Sequence, residues 1–344
     1  MGRWSHSCRQ LIPWGVSSAS PAWPCHARAV ASEKPGWNRR LFGWLRKDLL
    51  QMFSGTPDGE APWVAQMSEG SDAGYFGPGS AVWHVNGNAA TLIAGVRALM
   101  MQTLHPGAMA GVHDHSRYHT DPLGRLSGTV RWVVVTTFGS TETVAKEIGR
   151  VSGMHSRVTG TYTPQQGSEK SYAASDSDLI AWVHLVFTDA FLRSHQKMGR
   201  SIPDVDGEKG ADRYVREWSA AGKLMGYPTP PTTEAELDQA IADFIPELRS
   251  DERVADALRF ILDPPLPKTV RPGYRILSAA AVASLDPVYR DLLGVKRPWW
   301  PALTLGKWMV SFTGWVLGDE SPSMRRARER IDSLPAGAAA PATV

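Results

Sequence analysis

Apolar residues recur at helical spacing through most of this chain and nowhere alternate long enough to predict a half-buried strand. Aromatic and leucine positions in 37–53 (WNRRLFGWLRKDLLQMF) predict a short amphipathic helix with a core-packing face. The GYFGPGS segment at 74–80 reads as a turn from its glycine and proline content. The first strong helix is capped near Asn88 and runs to about Leu104, with Leu92, Ile93, Val96, Leu99, Met100 and Thr103 on its buried face. His105–Pro106 closes it, because proline disfavours helix in the residue before it.

Asp121–Pro122 opens the next helix, with an acceptor side chain at the N-cap and proline at the first helical position. It should reach Phe138 and stop at Gly139, with Leu126, Val130, Val133 and Val134 facing the core. Arg125 and Thr129 are four apart and share a face, and Gly124 and Gly128 form a second such pair beside them. Each helical glycine costs about 1 kcal/mol relative to alanine, so a close backbone approach by a helix or a flat ligand is expected there. A further helix from Thr141 to about Val158 carries the stripe Val144, Ile148, Val151, His155 and Val158. Lys146, Glu147, Arg150 and Arg157 fall on its other faces, and Gly160 ends it.

A loop with a short hairpin should follow. Residues 178–195 (DLIAWVHLVFTDAFLRSH) are apolar nearly all round and predict a central buried helix in which His184 and Thr188 share a face. Helices are expected at 208–225, stopped by Gly226 and Pro228, and at 233–248, opened by a Thr233/Glu236 capping box. Others fall at 251–262, 272–285, 301–317 and 322–334. The tryptophans at 299–315 sit at mixed spacing that defines no single face, so core packing is expected of them, ahead of a greasy entrance or a membrane surface. The fold class is all-α: a single large helical domain over 36–334, between an extension at 1–35 and a tail at 335–344 that both read as disordered.

Composition narrows the function classes. The chain has 344 residues, 42% hydrophobic and 21% charged, which is a globular balance with a formal charge of only +3. No basic stripe interleaved with aromatics occurs, so no nucleic-acid partner is expected. Both cysteines, Cys8 and Cys25, precede the helical region, which excludes thiolate zinc, iron–sulfur and thiolate haem ligation there. The lack of a disulfide framework suits a reducing compartment, and no apolar run is long enough for a membrane span. A cytoplasmic location is expected, with peripheral membrane contact left open. Residues 1–32 contain no acid, are rich in Ser, Arg and Trp, and are broken by Pro13, Pro21 and Pro24, which fits a transit-like extension better than a secretory signal.

Candidate chemistry concentrates between His105 and His155, which holds five of the ten histidines. His113, His115 and His119 could form a non-haem metal site or simply a solvated, capping segment. His184 in an apolar helix reads as a hydrogen-bonded core residue or a ligand. His155 falls on the core face of its helix, where an imidazole without a partner is costly. A core-facing imidazole, a separate helix presenting Arg125 and Thr129 beside glycines, and no cysteine together describe a haem crevice. Arginine there could pair a propionate or polarise an oxygen ligand.

The ordered pieces His105–Pro106, Gly111–Val112, His115–Ser116, Asp121–Thr129, His155–Gly160, Tyr172–Ala173 and Trp182–His184 closely resemble one family. It is that of the MpaB-type oxygenases and the catalytic domain of the rubber oxygenase latex clearing protein. The resemblance covers about residues 80–200. It implies a globin-like helical core binding haem b (iron) and oxidative cleavage of carbon–carbon double bonds with dioxygen. His155 then resembles the proximal ligand, and Arg125 and Thr129 the polar residues of an R-x-x-x-T motif, with the sixth iron site open, held by water, or filled by another side chain such as the cofactor-contact candidate His184. Rubber oxygenases can place a lysine ligand just before that threonine, and here the position is Gly128. The resemblance therefore implies a haem b-dependent oxygenase acting on a small hydrophobic alkene, isoprenoid among the candidates. A haem-binding or sensing module without turnover, and a non-haem metal enzyme built on the three clustered histidines, are the competing expectations.

Overall fold

Caps and prolines divide the chain into helices largely where the pattern places them. The computed structural model describes residues 60–343, except 119, 199, 200, 319 and 336, together with isolated positions between 43 and 58. The expectations for 1–35 and for most of 37–53 lie outside the described residues. Fourteen α-helices and one antiparallel two-stranded sheet occur among those described. In order they are α1 (Pro62–Ala65), α2 (Ala81–Asn86), α3 (Thr91–Gln102), α4 (Pro106–His115), α5 (Pro122–Phe138) and α6 (Thr141–His155). The hairpin β1 (Thr159–Tyr162) and β2 (Lys170–Ala173) follows, then α7 (Ser177–Met198), α8 (Gly210–Met225) and α9 (Glu234–Phe244). The chain continues with α10 (Glu252–Leu262), α11 (Arg271–Ser284), α12 (Pro287–Leu293), α13 (Ala302–Leu317) and α14 (Pro322–Asp332). The all-α, single-domain expectation holds.

Local chemistry explains the boundaries. Asp121 accepts from Gly124 N–H at 3.0 Å, Gly226 ends α8 at φ 101°, and the Thr233/Glu236 capping box forms in full. Asn88 acts earlier than expected: its side chain accepts from Ala90 N–H at 2.9 Å and shapes the turn before α3 starts. Helix α6 ends at His155 and not at Val158, because the chain turns there toward β1. Helices α1, α2, α4 and α12 add to the expected set. In α4 the His105 ring serves as the cap, its Nδ1 accepting from Gly107 N–H at 3.2 Å and Ala108 N–H at 3.3 Å.

Helix α7 is the axis of the core. Trp182, Leu185, Val186, Ala190 and Leu192 are fully enclosed, and α3, α8, α9, α11 and α13 pack around them. Because α3 is covered on nearly all sides, its expected face is redistributed: Leu92 and Leu99 are only half-buried, whereas Arg97 is wholly buried. Arg97 pairs with Asp189 of α7 at 2.7 Å and also donates to the carbonyl of Ser284, which ends α11. Removing either partner of such a pair typically costs about 3–5 kcal/mol, since the other charge is left buried. The tryptophans at 299–315 do not enter the core as expected: Trp299, Trp308 and Trp315 all face solvent. The tail turns back, and Ala342 N–H donates to Gly74 O at 2.8 Å.

Two buried imidazoles make the fold acid-sensitive. Burial pushes His105 and His184 down to about 4, from an ordinary value of 6.5. Glu247, 3.8 Å from His105 Nε2, would favour the charged form, but it is largely solvated and burial prevails. The unfolded chain therefore takes up protons that the fold refuses. The stability from the neutral rings is complete above pH 6.5 and is lost as pH falls toward about 4, on the order of 3 kcal/mol for each ring. Thermal midpoints measured across that window should fall, and His105→Asn, which keeps a capping acceptor without titrating, should flatten the decline. An unchanged slope in His105→Asn would remove His105 from this account.

Candidate functional site

Helix α5 has two unlike halves. Its C-terminal half is anchored: Trp132 meets Trp218 at 5.9 Å and Phe187 at 6.2 Å between ring centroids, and Phe138 meets Trp83 at 4.9 Å. Thr137 accepts from the Asn86 amide at 2.9 Å, and the Asn86 carbonyl in turn accepts from Tyr214 Oη–H at 3.3 Å. The pairs Trp132–Trp218 and Thr137–Asn86–Tyr214 run α5 antiparallel to α8. The contact of His184 with Gly222 and the Trp132–Phe187 contact run α7 parallel to α5.

The N-terminal half of α5 stands away from its neighbours. Leu126 and Val130, expected on the core face, are only half-buried, as are Ser127, Gly128 and Thr129. A Cβ built on Gly128 would meet no atom within 4 Å. Across from it, Val183 is 36% exposed although Trp182 and His184 beside it are buried. Trp132 Nε1–H is itself buried without a hydrogen-bond acceptor among the described residues.

Arg125 and Thr129 are brought together as expected. The guanidinium donates to Thr129 Oγ1, which lies 3.4 Å from the Arg125 carbonyl. Arg125 is exposed to solvent, and the protein packed around it lowers its pKa by desolvation. Among the described residues no carboxylate lies within ion-pair distance of it. His155, the last residue of α6, is half-buried, and its pKa is lowered by burial and then by the Arg125 charge. The imidazole therefore stays neutral and keeps a free nitrogen lone pair below the usual histidine range.

Glu147 is the residue that periodicity misplaces. Expected on an outer face of α6, it is 1% exposed and accepts from Arg131 Nε–H of α5 and Arg150 Nε–H, each at 2.9 Å. Two guanidinium groups compensate its burial and tie α5 to α6, fixing His155 relative to Arg125. The Glu147/Arg150 spacing is legible in the chain, but the partner on α5 is not.

The remaining candidates stand apart from this pair. His184 lies in the α7–α8 seam, pressed on Gly222, with Nε2 3.5 Å from Thr188 Oγ1. His113 pairs with Asp114 at 2.9 Å and His115 with the Thr159 carbonyl at 3.0 Å, while His119 lies outside the described residues. No group of three or more His, Cys, Asp or Glu side chains suited to a metal ion occurs among the described residues. Two other concavities, about 500 and 270 Å³, are lined mainly by charged and polar side chains such as Asp189, Arg193 and Lys197, or Glu169, Arg249 and Arg253, and neither contains a histidine. They do not compete with the space beside Gly128. Arg125 and His155 together offer a cation with no carboxylate partner among the described residues and a neutral nitrogen donor.

Residues 83–317 match the family model described as the ER-bound oxygenase mpaB/B'/Rubber oxygenase, catalytic domain. No curated protein and no solved structure matches the chain.

The two glycines beside the site should respond oppositely to a methyl group. Gly128→Ala should raise stability to chemical denaturation by about 0.5–1 kcal/mol, as alanine favours helix and meets open space. Gly222→Ala would set its Cβ 3.0 Å from the His184 ring and should destabilise by about 1–3 kcal/mol. Equal losses at both positions would show that the space beside Gly128 is closed.

Proposed function

The chain belongs to the MpaB/rubber oxygenase catalytic-domain family, and from that premise we propose a haem b-dependent oxygenase that uses dioxygen on a hydrophobic alkene, isoprenoid among the candidate classes. The observation that carries the reading is the uncompensated Arg125 beside a neutral-favouring His155 at the edge of the space that Gly128 leaves open. A flat apolar ring system with carboxylate substituents and a nitrogen-seeking metal satisfies all three features. Haem b, when bound, supplies the redox-active iron for dioxygen chemistry.

The chain's own residues have separable parts in this reading. His155 would hold the haem iron through its neutral ring nitrogen, and the Arg125 charge helps to keep that nitrogen unprotonated. Arg125 offers its guanidinium to a cofactor carboxylate or to developing negative charge on oxygen, and Thr129 holds it in place. Leu126, Val130 and Val183 exclude water and hold an apolar substrate. Gly128 contributes no donor atom, so the lysine of rubber oxygenases has no counterpart in this chain.

Purified protein should show a Soret band that His155→Ala weakens or shifts; a colourless protein produced with ample haem precursor would overturn the reading. Oxygen uptake should depend on a prenyl compound from a panel, and Arg125→Ala should lower kcat/KM about 10²–10³-fold. A Soret band with no substrate-dependent uptake would instead identify a haem-binding module without turnover.

A further inference from the structure

Helix α13 carries two faces of unusual composition. Its inner face, Ala302, Gly306, Val310, Thr313 and Val316, is buried against α11 and α7. Gly306 permits this approach, since a Cβ there would lie 2.6 Å from Ala280 Cβ. The outer face of a surface helix normally carries charged residues. Here it carries Leu305 at 42% exposure and Trp308 at 72%. Just before the helix, Trp299 is 96% exposed. The sequence from 295 to 317 contains Lys296, Arg297 and Lys307 and no acid.

We propose that this face, with the 296–300 segment, docks on the headgroup region of an anionic lipid bilayer, the helix lying in the plane of the interface. Indole rings suit that depth because their apolar body enters the acyl boundary while the N–H stays hydrated. Three cations without an intervening acid complement the negative potential of an anionic leaflet. No described helix is long and apolar enough to cross a membrane, which makes this surface contact and not a span. The proposal rests on Trp299, Leu305, Trp308 and the three cations, and is independent of the cofactor reading.

The test is co-flotation of the full-length protein with vesicles of phosphatidylcholine alone and of phosphatidylcholine mixed with phosphatidylglycerol. Binding should be strong only with the anionic lipid and should weaken with salt. Neutralising the cations (Lys296→Gln, Arg297→Gln, Lys307→Gln) should lower the apparent affinity roughly 100-fold. Trp299→Ser with Trp308→Ser should lower it further still, without changing the thermal midpoint, since both side chains are exposed. Neutralising Arg253 and Arg259, on another helix, should leave it unchanged. No flotation, or flotation unaffected by the tryptophan changes, overturns the proposal. So does sedimentation showing a lipid-free oligomer that Trp308→Ser dissociates, because the face would then join copies of the chain.

Discussion

The contact of Trp132 with Trp218 and Phe187 governs the site region. It fixes the direction of α5 against α7 and α8 and sets the distance between them. Large side chains thus pack the C-terminal half of α5, while small and half-buried ones leave its N-terminal half open.

Charge separates scaffold from site. Arg97 is compensated by Asp189, Glu147 by Arg131 and Arg150, and Arg330 by the carbonyls of Met67 at 2.6 Å and Phe138 at 3.0 Å. Each joins elements distant in sequence and satisfies its own desolvation. Arg125 is exposed, and its described partner is only the neutral Thr129 hydroxyl. A guanidinium with no carboxylate partner is free to meet a ligand carrying negative charge. That contrast, more than the number of histidines, singles out the region.

Helix α7 links the parts. One side supports the separation at Phe187, Val183 meets the open space, and further along Asp189 anchors α3 through Arg97. Helix α13 packs on the same scaffold and turns its aromatic and cationic face outward. Ligand space and docking surface therefore share one rigid support without sharing residues.

Periodicity, caps and prolines determined the helical class, most element positions and the Arg125/Thr129 pairing, because these follow from local geometry along the chain. The ordered motifs around His105–His184 likewise pointed to the family from residue order alone. What only tertiary structure decided was which faces are covered. Leu126 and Val130 look like core residues but stand at an opening; Glu147 looks solvated but is buried by an arginine from another helix; Trp308 looks like core but faces outward. His155 lies at a helix end under the field of Arg125, not within a continuing stripe. A helical pattern gives a residue's angle about its own axis, while burial depends on how far the next helix stands, and that distance is set by side chains elsewhere in the sequence.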